Sequence, residues 1–139
     1  MAEHSLEFAA CFVDGACRGN PGPSGVGVVV QDRSGGVIAE LKEFIGEGTN
    51  NIAEYRAVLL ALKELKKLGV KGALINMDSE LVVNQLTGNY RVKNENLIGL
   101  MRQVRQAEQG FSFVNYNHVP REKNKAADKL ANVAINLAV

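Results

Sequence analysis

The sequence contains little cysteine and little histidine, which limits the kinds of site it can hold. Its two cysteines, Cys11 and Cys17, are too few for a disulfide framework. Its two histidines, His4 and His118, do not combine with them into the spacing of a zinc site. We therefore expect both cysteines to be buried or neutral thiols.

The sequence also lacks a basic leader and a long apolar run. The N-terminal segment MAEHSLEFAACFVDG carries acids and a histidine ahead of a short apolar run, unlike a secretory signal peptide. No later stretch is long enough to cross a bilayer. These absences predict a cytoplasmic protein with no membrane partner.

Charge of either sign is not in large excess. The net charge is +1, and phosphate contacts dominate affinity for nucleic acid, so any such binding must use local basic patches. The basic residues of one candidate patch, the segment REKNKAADK, are Arg121, Lys123, Lys125 and Lys129. The same segment could instead be the solvated face of a helix.

What the sequence does contain is the composition of an ordinary globular domain. Apolar residues make up 46% and charged residues 22% of the chain, which is typical of soluble proteins and argues against disorder. A length of 139 residues fits one domain with a substantial core. We find no linker or repeat, so the sequence predicts a single domain over residues 1–139.

The hydrophobic pattern changes period along the chain. Alternating or continuous apolar runs predict five strands, at residues 6–14, 26–32, 37–45, 72–78 and 111–119. Apolar residues three or four apart predict four helices, at residues 49–69, 79–88, 94–110 and 124–138. This order predicts an α/β fold with a mixed five-stranded sheet, in which three antiparallel strands precede parallel crossovers and helices flank the sheet.

Four acidic residues are placed where such a sheet could bind a ligand. Ligands of open α/β sheets lie outside the carboxyl ends of the strands, and Asp14 and Asp78 each end a predicted strand. Glu54 and Asp128 lie near the starts of predicted helices. Each acid alone has a structural explanation, as part of a helix cap with Ser79 for Asp78, a helix-dipole partner for Glu54 and a lysine partner, Lys125 or Lys129, for Asp128.

The four acids together favour metal chemistry. Clustered carboxylates repel one another and raise one another's pKa unless cations neutralise them. Oxygen ligands of this kind suit hard divalent ions such as Mg²⁺. Two such ions, about 3.5–4 Å apart, can activate a water and stabilise the leaving oxygen in phosphodiester hydrolysis.

In its motifs the sequence resembles the type 1 ribonucleases H. The resemblance runs, in the family's order and spacing, through VDGACRGNPGPSGVG, TNNIAEYRAVLLAL, MDSELVVNQLTG and HVPREKNKAADKLANVA. It implies a ribonuclease H-like fold and an endonuclease that hydrolyses the RNA strand of RNA/DNA hybrids, leaving 3′-hydroxyl and 5′-phosphate ends. It also implies that Asp14, Glu54, Asp78 and Asp128 are catalytic and bind two Mg²⁺ or Mn²⁺ ions.

The resemblance implies residues that bind the hybrid as well. Cys17, Gly19 and Asn20 would face its minor groove, where glycine admits a close backbone and asparagine can bond a 2′-hydroxyl. Asn50 and Asn51 would contact the strands near the same groove.

Two further residues match positions at which the family binds a phosphate of the DNA strand. These are Thr49 and Asn94. Both residue types are also good helix caps, and one residue can serve both purposes.

The sequence departs from many bacterial members of the family, which insert a basic helix and loop as a substrate handle. Here only NYRVK separates Gly88 from Asn94, so the handle is absent, although Arg91 and Lys93 could supply some of its charge. No separate hybrid-binding domain is expected either. We therefore expect a monomer without an obligate protein partner, with modest and salt-sensitive affinity for the hybrid.

A second departure is a shortened loop before the fourth acid, where many members carry a catalytic histidine. In FVNYNHVPRE, His118 continues the alternation of the preceding strand, and HVP resembles the end of the family's last strand. We expect His118 to end the strand and Arg121 to lie nearest the scissile phosphate. The alternative is that His118 itself assists catalysis.

Two other functions fit the same fold. One is a nuclease that acts on double-stranded RNA or branched DNA, and the other is a non-catalytic module that binds duplex or structured RNA without metal. The presence of all four acids favours an enzyme over a binding module.

Overall fold

The structure is a computed structural model that describes residues 7–139, so His4 and residue 6 of the predicted first strand lie outside it. The strands are β1 (Phe8–Cys17), β2 (Gly22–Gln31), β3 (Val37–Gly48), β4 (Gly72–Met77) and β5 (Phe113–His118). The helices are α1 (Asn50–Lys67), α2 (Glu80–Leu86), α3 (Glu95–Glu108) and α4 (Lys125–Ala138). A 3₁₀ turn at Arg121–Lys123, which the sequence did not predict, precedes α4.

The strands form one mixed sheet in the order β3-β2-β1-β4-β5. Strands β1, β2 and β3 pair in antiparallel fashion, as successive hairpins do. Strands β4 and β5 are parallel to β1, since a helical crossover precedes each of them. The predicted fold class and element order are confirmed.

Strand β1 runs three residues past Asp14, so the prediction that Asp14 ends the first strand is wrong. The parallel ladder to β4 does end early, at Phe12 opposite Asn76. Residues 15–17 continue the antiparallel ladder to β2 alone, as far as Cys17 opposite Ser24. Because this pairing holds residues 15–17 extended, the turn is confined to residues 18–21. Strand β2 begins at Gly22, not at residue 26.

Helices α1 and α4 cover opposite faces of the sheet. A side chain on Gly15 would collide with the α1 backbone at Ala53, and one on Gly27 would collide with the α4 backbone at Ala127. Gly27 is the register partner of Asp14, and successive residues of a strand point to opposite faces. Both helices therefore approach the sheet closely beside Asp14, one from each side.

Helix α1 forms the centre of the core. Its residues Tyr55, Leu62 and Leu65 are fully buried. They are seven and three residues apart, which places them on one face of the helix. Thr49 caps its N-terminus by accepting a hydrogen bond from the Ile52 backbone N–H at 3.2 Å. This cap and the buried stripe fix the rotation of α1, and with it the direction of every side chain in its first turns.

Candidate active site

Glu54 reaches the sheet because α1 packs on Gly15. Glu54 lies beyond the first turn of the helix and is only 7% exposed, so it is not the solvent-facing partner of a helix dipole. Its Oε1 accepts a hydrogen bond from the Gly15 backbone N–H at 3.2 Å. The packing of α1 therefore places the Glu54 carboxylate against the residue that follows Asp14.

Three of the predicted acids form one cluster. Carboxylate oxygens of Asp14, Glu54 and Asp78 lie within 4.8 Å of one another. Asp14 is 5% exposed and Asp78 is half-buried, directly after the end of β4. Ser79, not Asp78, caps α2, since its Oγ accepts from the Val82 backbone N–H at 3.3 Å. Asp78 is thus free of the capping role that the sequence left open.

The crowding of these acids appears in their proton affinities. Burial raises the pKa of Asp14 well above its usual range, and the charges of Glu54 and Asp78 raise it further. Burial and the Asp78 charge raise the pKa of Glu54, while the nearby charge of Arg121 opposes the shift. Bound divalent cations would lower the pKa values of both acids, because a cation stabilises the ionised form of each carboxylate that it binds.

The fourth acid, Asp128, lies at the edge of the cluster. It belongs to the first turn of α4, is exposed, and its charge also raises the pKa of Asp14. Its Oδ1 accepts a hydrogen bond from Asn132 Nδ2 at 3.2 Å. Within residues 7–139 it forms no ion pair, so the lysine partner considered from the sequence is not found.

All four acids line one cavity of about 380 Å³, which we call the acidic cavity. The other predicted site residues in its lining are Cys17, Asn50, Asn51 and Arg121. His118 is not in the lining; it is exposed and is the last residue of β5, as predicted. Of the candidate basic patch, only Arg121 lines the cavity, and the other three side chains are exposed, as on a solvated face.

A second cavity of about 390 Å³, which we call the asparagine cavity, adjoins the first through Asn50 and Asn51. It brings together three more predicted residues, Asn20, Thr49 and Asn94. Gly19 lines neither cavity and lies in the adjoining turn with a φ of 97°.

The N-termini of two helices converge on the asparagine cavity. Thr49 caps α1, and Asn94 caps α3 by accepting from the Asn96 and Leu97 backbone N–H groups at 2.9 and 3.3 Å. The capping role considered for both residues is therefore confirmed. Because a helix N-terminus carries partial positive charge, two of them at one cavity suit an anion such as a phosphate.

Asn124 was not predicted as a site residue, and it is 1% exposed. Its Nδ2 donates to the Val13 carbonyl oxygen at 2.9 Å and to Asp78 Oδ2 at 3.2 Å, whereas its Oδ1 has no partner. Asn124 precedes α4, where an asparagine usually caps the helix, yet its side chain makes no cap bond. That position is the only signal in the sequence, and it points to the wrong role.

The thiols agree with the sequence analysis as far as the structure tests it. Both cysteines are free; Cys11 is buried and Cys17 is half-buried. Burial raises the pKa of Cys11 to about 12, so this thiol is neutral.

No helix within residues 7–139 is long and apolar enough to span a bilayer.

The chain is similar to several known proteins. Residues 12–134 match the family model described as reverse transcriptase-like. The chain is 46% identical over 127 residues to the bifunctional protein Rv2228c of Mycobacterium tuberculosis, covering 90% of this chain but 35% of that protein. It is 41% identical over 125 residues to ribonuclease HI of Halobacterium salinarum, covering 90% of this chain and 63% of the relative. It is 33% identical to ribonuclease H of Hydrogenovibrio crunogenus, covering 94% and 97% of the two chains.

Solved structures show the same likeness. The crystal structure of RNase H1 from Halobacterium salinarum superimposes with a TM-score of 0.91 at 40% identity, covering 93% of this chain and 98% of that one. LC11-RNase H1, solved in complex with an RNA/DNA hybrid, gives a TM-score of 0.90 at 40% identity, covering 94% and 98%. The chain thus spans about a third of the mycobacterial relative and nearly the whole of both solved chains.

Proposed function

Because the chain belongs to the reverse transcriptase-like family that includes the type 1 ribonucleases H, we propose that it hydrolyses the RNA strand of RNA/DNA hybrids. The observation that carries the proposal is the cluster of Asp14, Glu54 and Asp78 within 4.8 Å, with Asp128 at its edge. Relatives named ribonuclease H and a structural neighbour bound to an RNA/DNA hybrid support the choice of substrate.

The donor set of the acidic cavity fits Mg²⁺ or Mn²⁺. The cluster of Asp14, Glu54 and Asp78 offers only carboxylate oxygens, which hard cations prefer, although Cys17 also lines the cavity. We propose that the four acids hold two ions. Such ions would supply activation of a water for attack on phosphorus and stabilisation of the leaving oxygen, and we propose 3′-hydroxyl and 5′-phosphate products.

The protein's own contribution is to hold the carboxylates before substrate arrives. Gly15 N–H fixes one oxygen of Glu54, and Asn124 Nδ2 fixes one oxygen of Asp78. Asp128 is held more loosely, on an exposed helix turn, by Asn132. The resulting site has two carboxylates held by these hydrogen bonds, the buried carboxylate of Asp14 beside them, and a fourth on an exposed helix turn.

The asparagine cavity is proposed to bind a phosphate of the DNA strand. Its two helix N-termini supply partial positive charge, and no basic side chain is in the lining. Asn50 and Asn51, shared by both cavities, would lie between this phosphate and the scissile one. A duplex is thereby engaged on both strands, with Cys17, Gly19 and Asn20 against its minor groove.

Arg121 is proposed to contact the scissile phosphate. It lines the acidic cavity, and a guanidinium can pair with phosphate through two hydrogen bonds. The short connection from α2 to α3 leaves only Arg91 and Lys93, both exposed, to supplement phosphate binding there. Affinity for the hybrid should therefore be modest and fall with salt. Separately, we propose that the protein acts as a monomer.

Cleavage of labelled duplexes tests this function. The protein is incubated with RNA/DNA, RNA/RNA, DNA/DNA and branched DNA substrates in Mg²⁺, in Mn²⁺ and in EDTA, with Asp78→Asn as the inactive control. We expect metal-dependent cleavage of the RNA strand in the hybrid only. Preferential cleavage of RNA/RNA or branched DNA would assign a different nuclease, and tight hybrid binding without cleavage in either metal would assign a binding module.

A further inference from the structure

A groove distinct from both cavities lies between α1, α3 and β3. It has a volume of about 520 Å³ and shares no residue with the acidic or the asparagine cavity. Its floor is aliphatic and consists of Leu59, Leu60, Leu62, Leu100 and Ala107. We call it the leucine groove. All of its floor except Leu62 is half-buried, so the floor still offers apolar surface to a ligand.

Three cations line the same groove. Arg56, Lys63 and Lys66 recur at intervals of seven and three, which places them along one side of α1. All three are exposed, and within residues 7–139 no carboxylate lies within 4.0 Å of any of them. Glu43 of β3 is the one acid in the lining, so the groove has an excess of positive charge.

We propose that the leucine groove binds an acidic peptide segment of a partner protein. A large apolar side chain of the segment would rest on the leucine floor, and its flanking carboxylates would meet the three cations. Arg56 and Lys66 are separated by ten residues, about 15 Å along a helix. An extended peptide places side chains of one face about 7 Å apart, so two or three carboxylates match this spacing.

The lining favours such a peptide over other anions. Single-stranded nucleic acid binds by stacking its bases on aromatic rings, and the floor contains only leucines and an alanine. A fatty acid has one carboxylate and would leave two of the three cations without a partner. An acidic segment with one apolar residue is the ligand that uses both the floor and the whole row of charges.

This binding site does not depend on the proposed nuclease activity. None of the four acids and none of the proposed substrate-binding residues lines the leucine groove. Loss of the groove should therefore leave hybrid cleavage by the isolated protein unchanged. Its function would be to bring the protein to a partner.

Fluorescence anisotropy with a short labelled peptide of Asp and Glu around a single Leu tests the proposal. The test variant is Lys63→Glu with Lys66→Glu. The matched control is Lys67→Glu with Lys71→Glu, which makes the same change in net charge at exposed positions outside the lining. We expect salt-sensitive binding that weakens about tenfold or more in the test variant and about twofold or less in the control.

Three further measurements decide the ligand class. The peptide with Ser in place of Leu should bind about tenfold more weakly, because the floor then has no apolar partner. Equal binding of the two peptides, displacement by single-stranded DNA, displacement by oleate, or no binding at all would each overturn the proposal. Hybrid cleavage by Lys63→Glu with Lys66→Glu should equal that of the unmodified protein. If the unmodified protein cleaves no hybrid, the proposed function fails, and the peptide result stands independently.

Discussion

Asn124 Nδ2 donates to Asp78 Oδ2 at 3.2 Å and to the Val13 carbonyl oxygen at 2.9 Å. The backbone carbonyl oxygen of Asn124 accepts from the Asp128 backbone N–H at 3.1 Å. One buried residue thus ties together the three chain segments that carry Asp14, Asp78 and Asp128. Its contacts give Asn124 the role of a positioning residue for the carboxylates.

Substitution of Asn124→Ala should weaken Mg²⁺ binding and lower kcat by about ten- to a hundredfold, because Asp78 loses the donor that orients it. It should also lower the free energy of unfolding by about 1–3 kcal/mol, since the Val13 carbonyl is left unpaired. Calorimetric Mg²⁺ titration and single-turnover cleavage measure the first effect, and urea denaturation the second.

Asn76→Ala is the control for this substitution. Asn76 is also buried and also donates to a β1 carbonyl, that of Cys11 at 3.2 Å, but it bonds no carboxylate. It should lower stability and leave Mg²⁺ affinity unchanged. Equal loss of Mg²⁺ affinity in both variants would show that Asn124 has no specific effect on Asp78.

The metal-free protein should lose stability as pH rises. The pKa of Asp14 is raised from 3.8 to about 10, and the pKa of Glu54 is raised from 4.5 to about 8. The folded state therefore retains protons that the unfolded chain releases. Their stabilising contribution is complete below about pH 4 and is lost as pH rises through the raised values. Urea denaturation in EDTA from pH 5 to 9 should show the decline, and Mg²⁺ should reduce it. A rise in metal-free stability over this interval would contradict the crowding of the acids.

Asp14→Asn should nearly abolish cleavage and leave the metal-free protein as stable as before or more stable. The amide removes one charge from a buried cluster and cannot replace the carboxylate as a metal ligand. Thermal melts in EDTA and in Mg²⁺, with cleavage assays in parallel, test both parts. A lower Tm in EDTA would count against repulsion at this site, and full activity would place the metals elsewhere.

Arg121→Ala should reduce turnover about ten- to a hundredfold, whereas His118→Ala should reduce it only several-fold. Loss of one charge-assisted phosphate contact costs about 1.5–3 kcal/mol. His118 is exposed and outside the acidic cavity. Single-turnover and steady-state rates separate the two roles. A large pH-dependent defect in His118→Ala, with little change in Arg121→Ala, would reverse the assignment.

Thr49→Asp should separate helix capping from phosphate binding. Aspartate is as good an N-cap as threonine, so the free energy of unfolding should be unchanged or slightly higher. Its negative charge beside the asparagine cavity should raise KM for the hybrid with little effect on kcat. Thr49→Ser serves as the control that retains both properties. An unchanged KM in Thr49→Asp would remove phosphate binding from this cavity.

The order of elements and the three clustered acids could be predicted from the sequence because they depend on local signals. The change from alternating to helical period marks α1, and Asp78 directly follows the continuous apolar strand β4. Grouping of acids near the carboxyl end of β4 then follows from sheet topology, although Asp14 lies inside its strand.

Other features depend on contacts that no local pattern reports. The extended conformation of residues 15–17 comes from pairing with β2, against the turn preference of glycine. Asn124 looks like a helix cap, and only the folded chain shows that its amide bonds Asp78. The hydrogen bond from Asn132 to Asp128 could be guessed from the i, i+4 spacing, but not the exposure of Asp128 at the edge of the cluster.

Gly27 has no side chain, yet it determines how closely α4 approaches the sheet beside the acidic cavity. Since any side chain there would meet the Ala127 carbonyl oxygen, its absence lets the first turn of α4 rest directly on β2, opposite Asp14 in the ladder. The separation between the fourth carboxylate and the other three is therefore governed by backbone contact between a strand and a helix. The geometry of the acidic cavity is thus set partly by a residue that does not line it.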